Sequence, residues 1–220
     1  MITLRFEKQL AMRYVSHIDL LRHIERTMRR AGVPVAFSQG FNPHMQLNLG
    51  VPLPVGVGSV CEYVTVDTEV DAHYLLTVYN RTAPKGLRAL QAWRTLKHPN
   101  MAGKTVAATY TMAIRGEDEA LGSLAALPER QSWVIAYPSR KNPTATRDVA
   151  AGVFGIQIAD GLLRATLASG NVTVRPDLFA EALMQEFGVE IDLDSILRTA
   201  QYVHGQDGGL LSADTYLSNV

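Results

Sequence analysis

The chain has 220 residues, enough for one large domain or two small ones. Its 21 basic and 21 acidic side chains cancel, which excludes a protein that coats nucleic acid through overall charge but leaves local patches open. The single cysteine, Cys61, excludes an internal disulfide framework and an iron–sulfur cluster held by this stretch alone.

Charge is unevenly placed. Arginine crowds the first hundred residues, while much of the acid lies beyond Glu117, so an RNA ligand is expected on the first half. No run approaches the ~18 apolar residues of a membrane span. The start Met1-Ile-Thr-Leu-Arg-Phe reads as a strand rather than a signal peptide, and a cytoplasmic protein is the expectation.

In chain order, Ile2, Leu4 and Phe6 alternate with Thr3, Arg5 and Glu7 as a half-buried strand over 2–8. A helix follows over about 17–31. Ser16 is its N-cap, with Asp19 at the third position in a capping-box pattern. Leu20, Leu21, Ile24, Met28 and Ala31 share one side, and Arg22, Arg26, Arg29 and Arg30 fall on the other with His23 at the edge. Gly32 and Pro34 end it. A turn, Ser38-Gln-Gly-Phe-Asn-Pro-His44, then carries Gly40 for a positive backbone angle and Asn42-Pro43 as turn initiator. Phe41 at its tip has no evident core role and offers a stacking surface, with His44 beside it.

A second strand is expected over 45–50, then a Gly/Pro loop over 51–58, a third strand over 62–67, a second helix over 71–81 and a fourth strand over 86–95. The order β-α-β-β-α-β is that of a ferredoxin-like split βαβ unit, an antiparallel sheet with two helices on one face. After the breaker-rich segment 98–103 a similar series recurs. It has a strand over 106–115, a helix over 118–127 and a strand over 133–137, then a polar basic loop over 139–147. Strands at 154–158 and 162–168 follow around an Asp160-Gly161 hairpin, then a helix over 176–187 and a strand over 196–203. The fold expected is α+β, with two tandem ferredoxin-like units over 1–97 and 105–203 and a flexible tail over 204–220.

The run Tyr14-Val-Ser-His-Ile-Asp-Leu20, with Arg22, Arg29-Arg-Ala-Gly-Val-Pro34, Ser38-Gln-Gly-Phe-Asn-Pro-His44 and Pro52-Leu-Pro-Val-Gly56, resembles the radical SAM-linked protein family, a bacterial domain of unknown function. The pattern covers residues 1–100 best, with Val174-Arg-Pro-Asp177 and Leu197-Arg-Thr199 as further pieces. Met45-Gln46 departs from it where a basic residue is common. The resemblance implies a partner, a radical SAM enzyme beside or fused to the domain, more than an activity.

Enzyme signatures are scarce. There is no P-loop, dinucleotide fingerprint or His-Glu-x-x-His. His17 and His23 point about 120° apart on a helix, poor geometry for a shared metal. Asp19 and His23, at i and i+4, could orient one another as a general base, against the plainer reading of a capping interaction. Tandem ferredoxin-like domains also occur in CRISPR-repeat endoribonucleases and tRNA pseudouridine synthases. This chain has neither a C-terminal glycine-rich loop nor an aspartate assignable to a matching catalytic motif. Two functions are carried forward. One is an accessory module that binds RNA or a ribosomal substrate for a radical SAM enzyme and needs no cofactor or metal of its own. The other is a small RNA-acting enzyme using His17, Asp19, His23 or His44. The binding residues expected are Arg22, Arg26, Arg29, Arg30, Ser38, Gln39, Phe41, Asn42 and His44, with tRNA or rRNA as the RNA.

Overall fold

The computed structural model describes residues 1–170 and 172–220. Its elements begin with β1 (Ile2–Lys8), α1 (His17–Arg30), β2 (Leu47–Leu49), β3 (Gly58–Val66), α2 (Ala72–Thr82), β4 (Ala89–Arg94) and α3 (Met101–Lys104). They continue with β5 (Thr105–Arg115), α4 (Asp118–Ala125), β6 (Val134–Ala136), β7 (Thr146–Asp148), β8 (Val153–Ala159) and β9 (Leu162–Ala168). The last are α5 (Pro176–Phe187), β10 (Glu190–Ile191), β11 (Leu197–His204), β12 (Leu210–Ser212) and α6 (Ala213–Ser218). The chain is a mixture of helices and mostly antiparallel sheet, and it divides into two compact units, Met1–Thr105 with Tyr202–Val220, and Val106–Gln201.

In the first unit the strand order is β4-β1-β3, with β2 on the far side of β3. All these pairs are antiparallel, with Leu4 opposite Ala92 and Val64, and Leu49 opposite Val64. Period-2 alternation sends Ile2, Leu4 and Phe6 to one face, where they meet Leu20, Ile24 and Met28 of α1 and Leu75, Val78 and Tyr79 of α2. Ile24 and Met28 are fully buried, and each such side chain stabilises the fold by about 1.5–3 kcal/mol.

The opposite sheet face carries a second cluster. Cys61, Tyr63 and Trp93 pack with Met101, Val203, Ala213 and Leu217. The flexible tail expected after residue 204 is therefore folded. Tyr202, Val203 and His204 pair with β12, and α6 docks on the sheet. Ser212 caps α6 through Thr215 N at 3.1 Å. Asp214 accepts from Tyr63 Oη at 2.7 Å and from Arg5, and Ser218 Oγ accepts from Trp93 Nε1 at 3.1 Å. Six residues are too few to show a helical period, and what holds them is distant in sequence. The segment 98–103 likewise contains α3, capped by the Asn100 side chain, with Met101 in the cluster.

The second unit has the order β11-β5-β9-β8, with β10 on β5. Asp160 and Gly161 both hold positive φ, 52° and 71°, as a type I′ hairpin between β8 and β9 requires. Gly188 ends α5 in the left-handed region, and α5 buries Leu178, Phe179, Ala180 and Leu183. One element departs from the expected series. The strand expected over 133–137 pairs only with β7, as a separate two-stranded ribbon. It is β8 that lies beside β9 in the main sheet. Alternation of buried Trp133 and Ile135 with exposed Val134 and Ala136 fits either placement, so pattern alone cannot choose.

Candidate nucleic-acid interface

Helix α1 is fixed at both ends. Ser16 Oγ accepts from Asp19 N at 3.2 Å. At the other end Gly32, at φ 67°, turns the chain, and the amides of Gly32 and Val33 donate to Arg29 O and Met28 O. That is a Schellman motif, sealed by the buried pair Met28 and Val33. With the apolar side committed to the core, Arg22, Arg26, Arg29 and Arg30 are all left exposed.

Their partners differ. Arg22 pairs with Asp19 at 2.9 Å across two well-exposed side chains, a contact that water screens strongly. Arg26 has no hydrogen-bond or ion-pair partner among the described residues. The Arg29 guanidinium lies 5.8 Å from the centre of the Phe37 ring. Arg30 is different: its Nη2 donates to Thr82 O at 3.0 Å and to Thr27 Oγ1 at 3.2 Å. It therefore satisfies a carbonyl at the end of α2 and ties the two helices through its Nη2.

The turn after α1 is a small hairpin. Phe37 and Met45 form a bridge, Ser38 N donates to His44 O at 2.9 Å, and His44 N donates to Ser38 Oγ at 3.0 Å. Its base joins the end of β3, where Ala36 N donates to Asp67 O and Asp67 N to Gln46 O. Gly40 holds φ 126° at the tip. Phe41 next to it is fully exposed, and Gln39, Asn42 and the His44 ring also face solvent. The Arg29–Phe37 contact sets the basic side of α1 beside the hairpin.

The Asp19–His23 pair is not assembled as an acid–base couple. Hydrogen bonds from Ser16 Oγ, at 2.8 Å, and Arg22 occupy the Asp19 carboxylate and hold its pKa below the usual 3.8. His17, the first residue of α1, is half-buried. Among the described residues no group of three or more His, Cys, Asp or Glu is arranged to hold a metal.

One cation near this region has no clear sequence signal. Arg13 lies in the turn before α1, its Nε donates to Gly56 O in the Gly/Pro loop, and its guanidinium is 5.8 Å from the centre of the Tyr14 ring. Only the adjacency of Arg13 and Tyr14 could have pointed to it.

A profile of the bacterial family described as "uncharacterized protein conserved in bacteria (DUF2344)" matches residues 1–176. Among the curated proteins no match to the chain is found. Among solved structures the chain is similar to one in the "Crystal Structure of a Cbf5-Nop10-Gar1 Complex", with TM-score 0.50 and 11% identity over 91% of this chain. It spans 48% of that chain, about half its length. At that identity the likeness concerns the fold alone. No helix among the described residues is long and apolar enough to cross a membrane.

Proposed function

The chain belongs to the bacterial protein family DUF2344, and we propose that it is an accessory RNA-binding module in which α1 meets phosphates and Phe41 stacks on an unpaired base. The observation that carries this is the Arg29–Phe37 contact, which sets a guanidinium face at the base of a hairpin whose tip carries the fully exposed ring of Phe41. Arginine suits the task because its planar fork matches phosphate. Bases of any identity have a face on which Phe41 can stack. The fold likeness to a chain of a Cbf5–Nop10–Gar1 complex does not choose a ligand. In this reading each unit is a ferredoxin-like βαββαβ domain, supported by the strand orders β4-β1-β3-β2 and β11-β5-β9-β8, and β6–β7 is an insertion in the second.

The chemistry is assigned to a partner. The radical SAM-linked resemblance points to an enzyme carrying an iron–sulfur cluster, and this stretch has one cysteine. Pull-down from a native host under anaerobic, low-salt conditions should recover a cluster-containing enzyme, and its repeated absence would count against this partner.

RNA binding is tested by salt dependence. Arg26→Ala and Arg29→Ala should each flatten the log–log slope of affinity against salt by about 0.7 on single-stranded RNA, whatever its sequence. Arg30→Ala should lower the melting temperature and leave the slope in place, because its guanidinium is held by Thr82 O. Unchanged affinity and slope in Arg26→Ala/Arg29→Ala would refute the reading.

A further inference from the structure

The β6–β7 ribbon ends in a charged tip that the α1 site does not use. From Tyr137 to Arg147 the chain reads Tyr-Pro-Ser-Arg-Lys-Asn-Pro-Thr-Ala-Thr-Arg, with Arg140, Lys141 and Arg147 and no acid. All three cations are exposed.

The tip is built rather than slack. Pairing of Ile135 with Arg147 and Ala136 with Thr146 continues through Tyr137 N to Ala145 O at 2.7 Å. Beyond that, Ser139 N donates to Asn142 O, and Asn142 N donates to Ser139 Oγ at 3.1 Å. Asn142 Oδ1 in turn accepts from Thr144 Oγ1 at 3.2 Å. The Arg147 guanidinium lies 4.2 Å from the centre of the Tyr137 ring. Arg147 Nη1 and Tyr137 Oη both donate to Thr173 O, at 3.2 and 2.7 Å.

The nearest acid in sequence does not neutralise this tip. Asp148 stands at the foot, where its oxygens accept from Ser132 Oγ, Trp133 N and Ala150 N at 2.7, 3.0 and 3.1 Å. Arg140 and Lys141 have no hydrogen-bond or ion-pair partner among the described residues.

We propose that this arm is a second phosphate-binding element, which grips the backbone of an RNA without reading its bases. A tight protein–protein contact needs apolar or aromatic anchors that become buried. Here Tyr137 is half-buried and has Arg147 stacked on it, and the residues beyond it are polar or proline apart from the small Ala145. What the arm presents is concentrated positive charge on a narrow two-stranded ribbon, the combination that releases counterions from a polyanion. Contacts of this kind fix position and orientation on the nucleic acid rather than specify sequence. The proposal rests on the RNA reading of the chain but not on the α1 site.

The test compares two variants of the full chain, Arg140→Ala/Lys141→Ala in the arm and Arg26→Ala/Arg29→Ala in α1. Both are titrated with a homopolymeric single-stranded RNA over a range of salt. The arm variant should melt as the parent does, because neither side chain has a partner to lose. Its slope should fall by about 1.4, from two contacts at about 0.7 each on a single strand. Arg140→Glu/Lys141→Glu should weaken binding further. An arm variant with the parent's affinity and slope, beside an α1 variant that loses both, would overturn the arm and leave the α1 reading intact. Loss in the arm variant alone would uphold the arm and refute the α1 site. Polyglutamate binding as tightly as RNA would overturn the assignment to nucleic acid.

Discussion

Removing the Asp214 carboxylate should undo the docking of α6 on the first unit. Asp214 Oδ1 accepts from the Tyr63 hydroxyl at 2.7 Å, and Oδ2 pairs with Arg5. Tyr63 is only 2% exposed, so in Asp214→Ala its hydroxyl loses its partner in a site water barely reaches. Such an orphaned group costs about 1–3 kcal/mol. The Arg5 pair is partly exposed and contributes about 1 kcal/mol at most. The combined loss is about 1–4 kcal/mol. Tyr63→Phe keeps the Arg5 pair and should lose less, about 1.5 kcal/mol. Leu217→Ala attacks the same contact through packing and should cost about 2–5 kcal/mol.

The two tryptophans make the assay selective. Trp93 lies in the first unit and Trp133 in the second. Urea unfolding of Trp133→Phe follows Trp93 alone, and Trp93→Phe follows Trp133. Asp214→Ala should shift the Trp93 transition. Burial and the neighbouring Asp214 carboxylate also raise the Tyr63 pKa well above the usual 10. The hydroxyl therefore stays a donor through neutral pH, and its stabilising share is full below pH 10 and lost as pH climbs beyond it. A loss below about 0.5 kcal/mol in Asp214→Ala would refute the docking of α6, since a free tail has nothing to lose there.

Gly32→Ala should cost about 1–2 kcal/mol in urea unfolding, because φ 67° strains a residue with a Cβ although nothing lies within 4 Å to clash. Phe41→Ala should leave stability unchanged and weaken single-stranded RNA binding by about 1–3 kcal/mol with little change in salt slope, as titration at two salt concentrations would read. Acid should loosen the foot of the arm. Hydrogen bonds from Ser132, Trp133 N and Ala150 N hold the Asp148 pKa below the usual 3.8, so its contribution is complete above that value and disappears as pH falls through the lowered one. Trp133 fluorescence should report this below about pH 4, and Asp148→Asn should remove that step.

How much of this could be read from the chain follows the range of the interactions. The cap at Ser16, the stop at Gly32 and the Asp160-Gly161 hairpin depend on neighbours within a few residues, and their residue types give them away. The helix faces of α1 and α5 follow from a 3.6-residue period. The ribbon partner of β6, the docking of α6 and the capture of Arg30 by Thr82 depend on residues from 10 to 209 positions away. No local pattern encodes them. A four-arginine face is legible as a stripe, but the sequence does not show that Arg30 reaches the carbonyl of Thr82.

Partnering rather than composition decides where this neutral chain is basic. At least six of its 21 acids have partners within the chain. Asp71 caps α2, Asp19 accepts from Ser16 Oγ and Arg22, Asp148 gathers backbone and hydroxyl donors, Asp177 holds Arg175, Glu186 holds Arg130 and Trp133, and Asp214 holds Arg5 and Tyr63. Where the partner is an arginine, as for Asp19, Asp177, Glu186 and Asp214, the pair is neutral and adds little to the field at a distance. Arg26, Arg140 and Lys141 have no such partners, and Arg29 has only an aromatic face, which leaves its charge intact. Two patches of positive potential can therefore stand on a chain whose formal charge is zero. Their effect reaches about a Debye length, near 10 Å at 0.1 M salt, so salt should separate the patches from the rest of the surface.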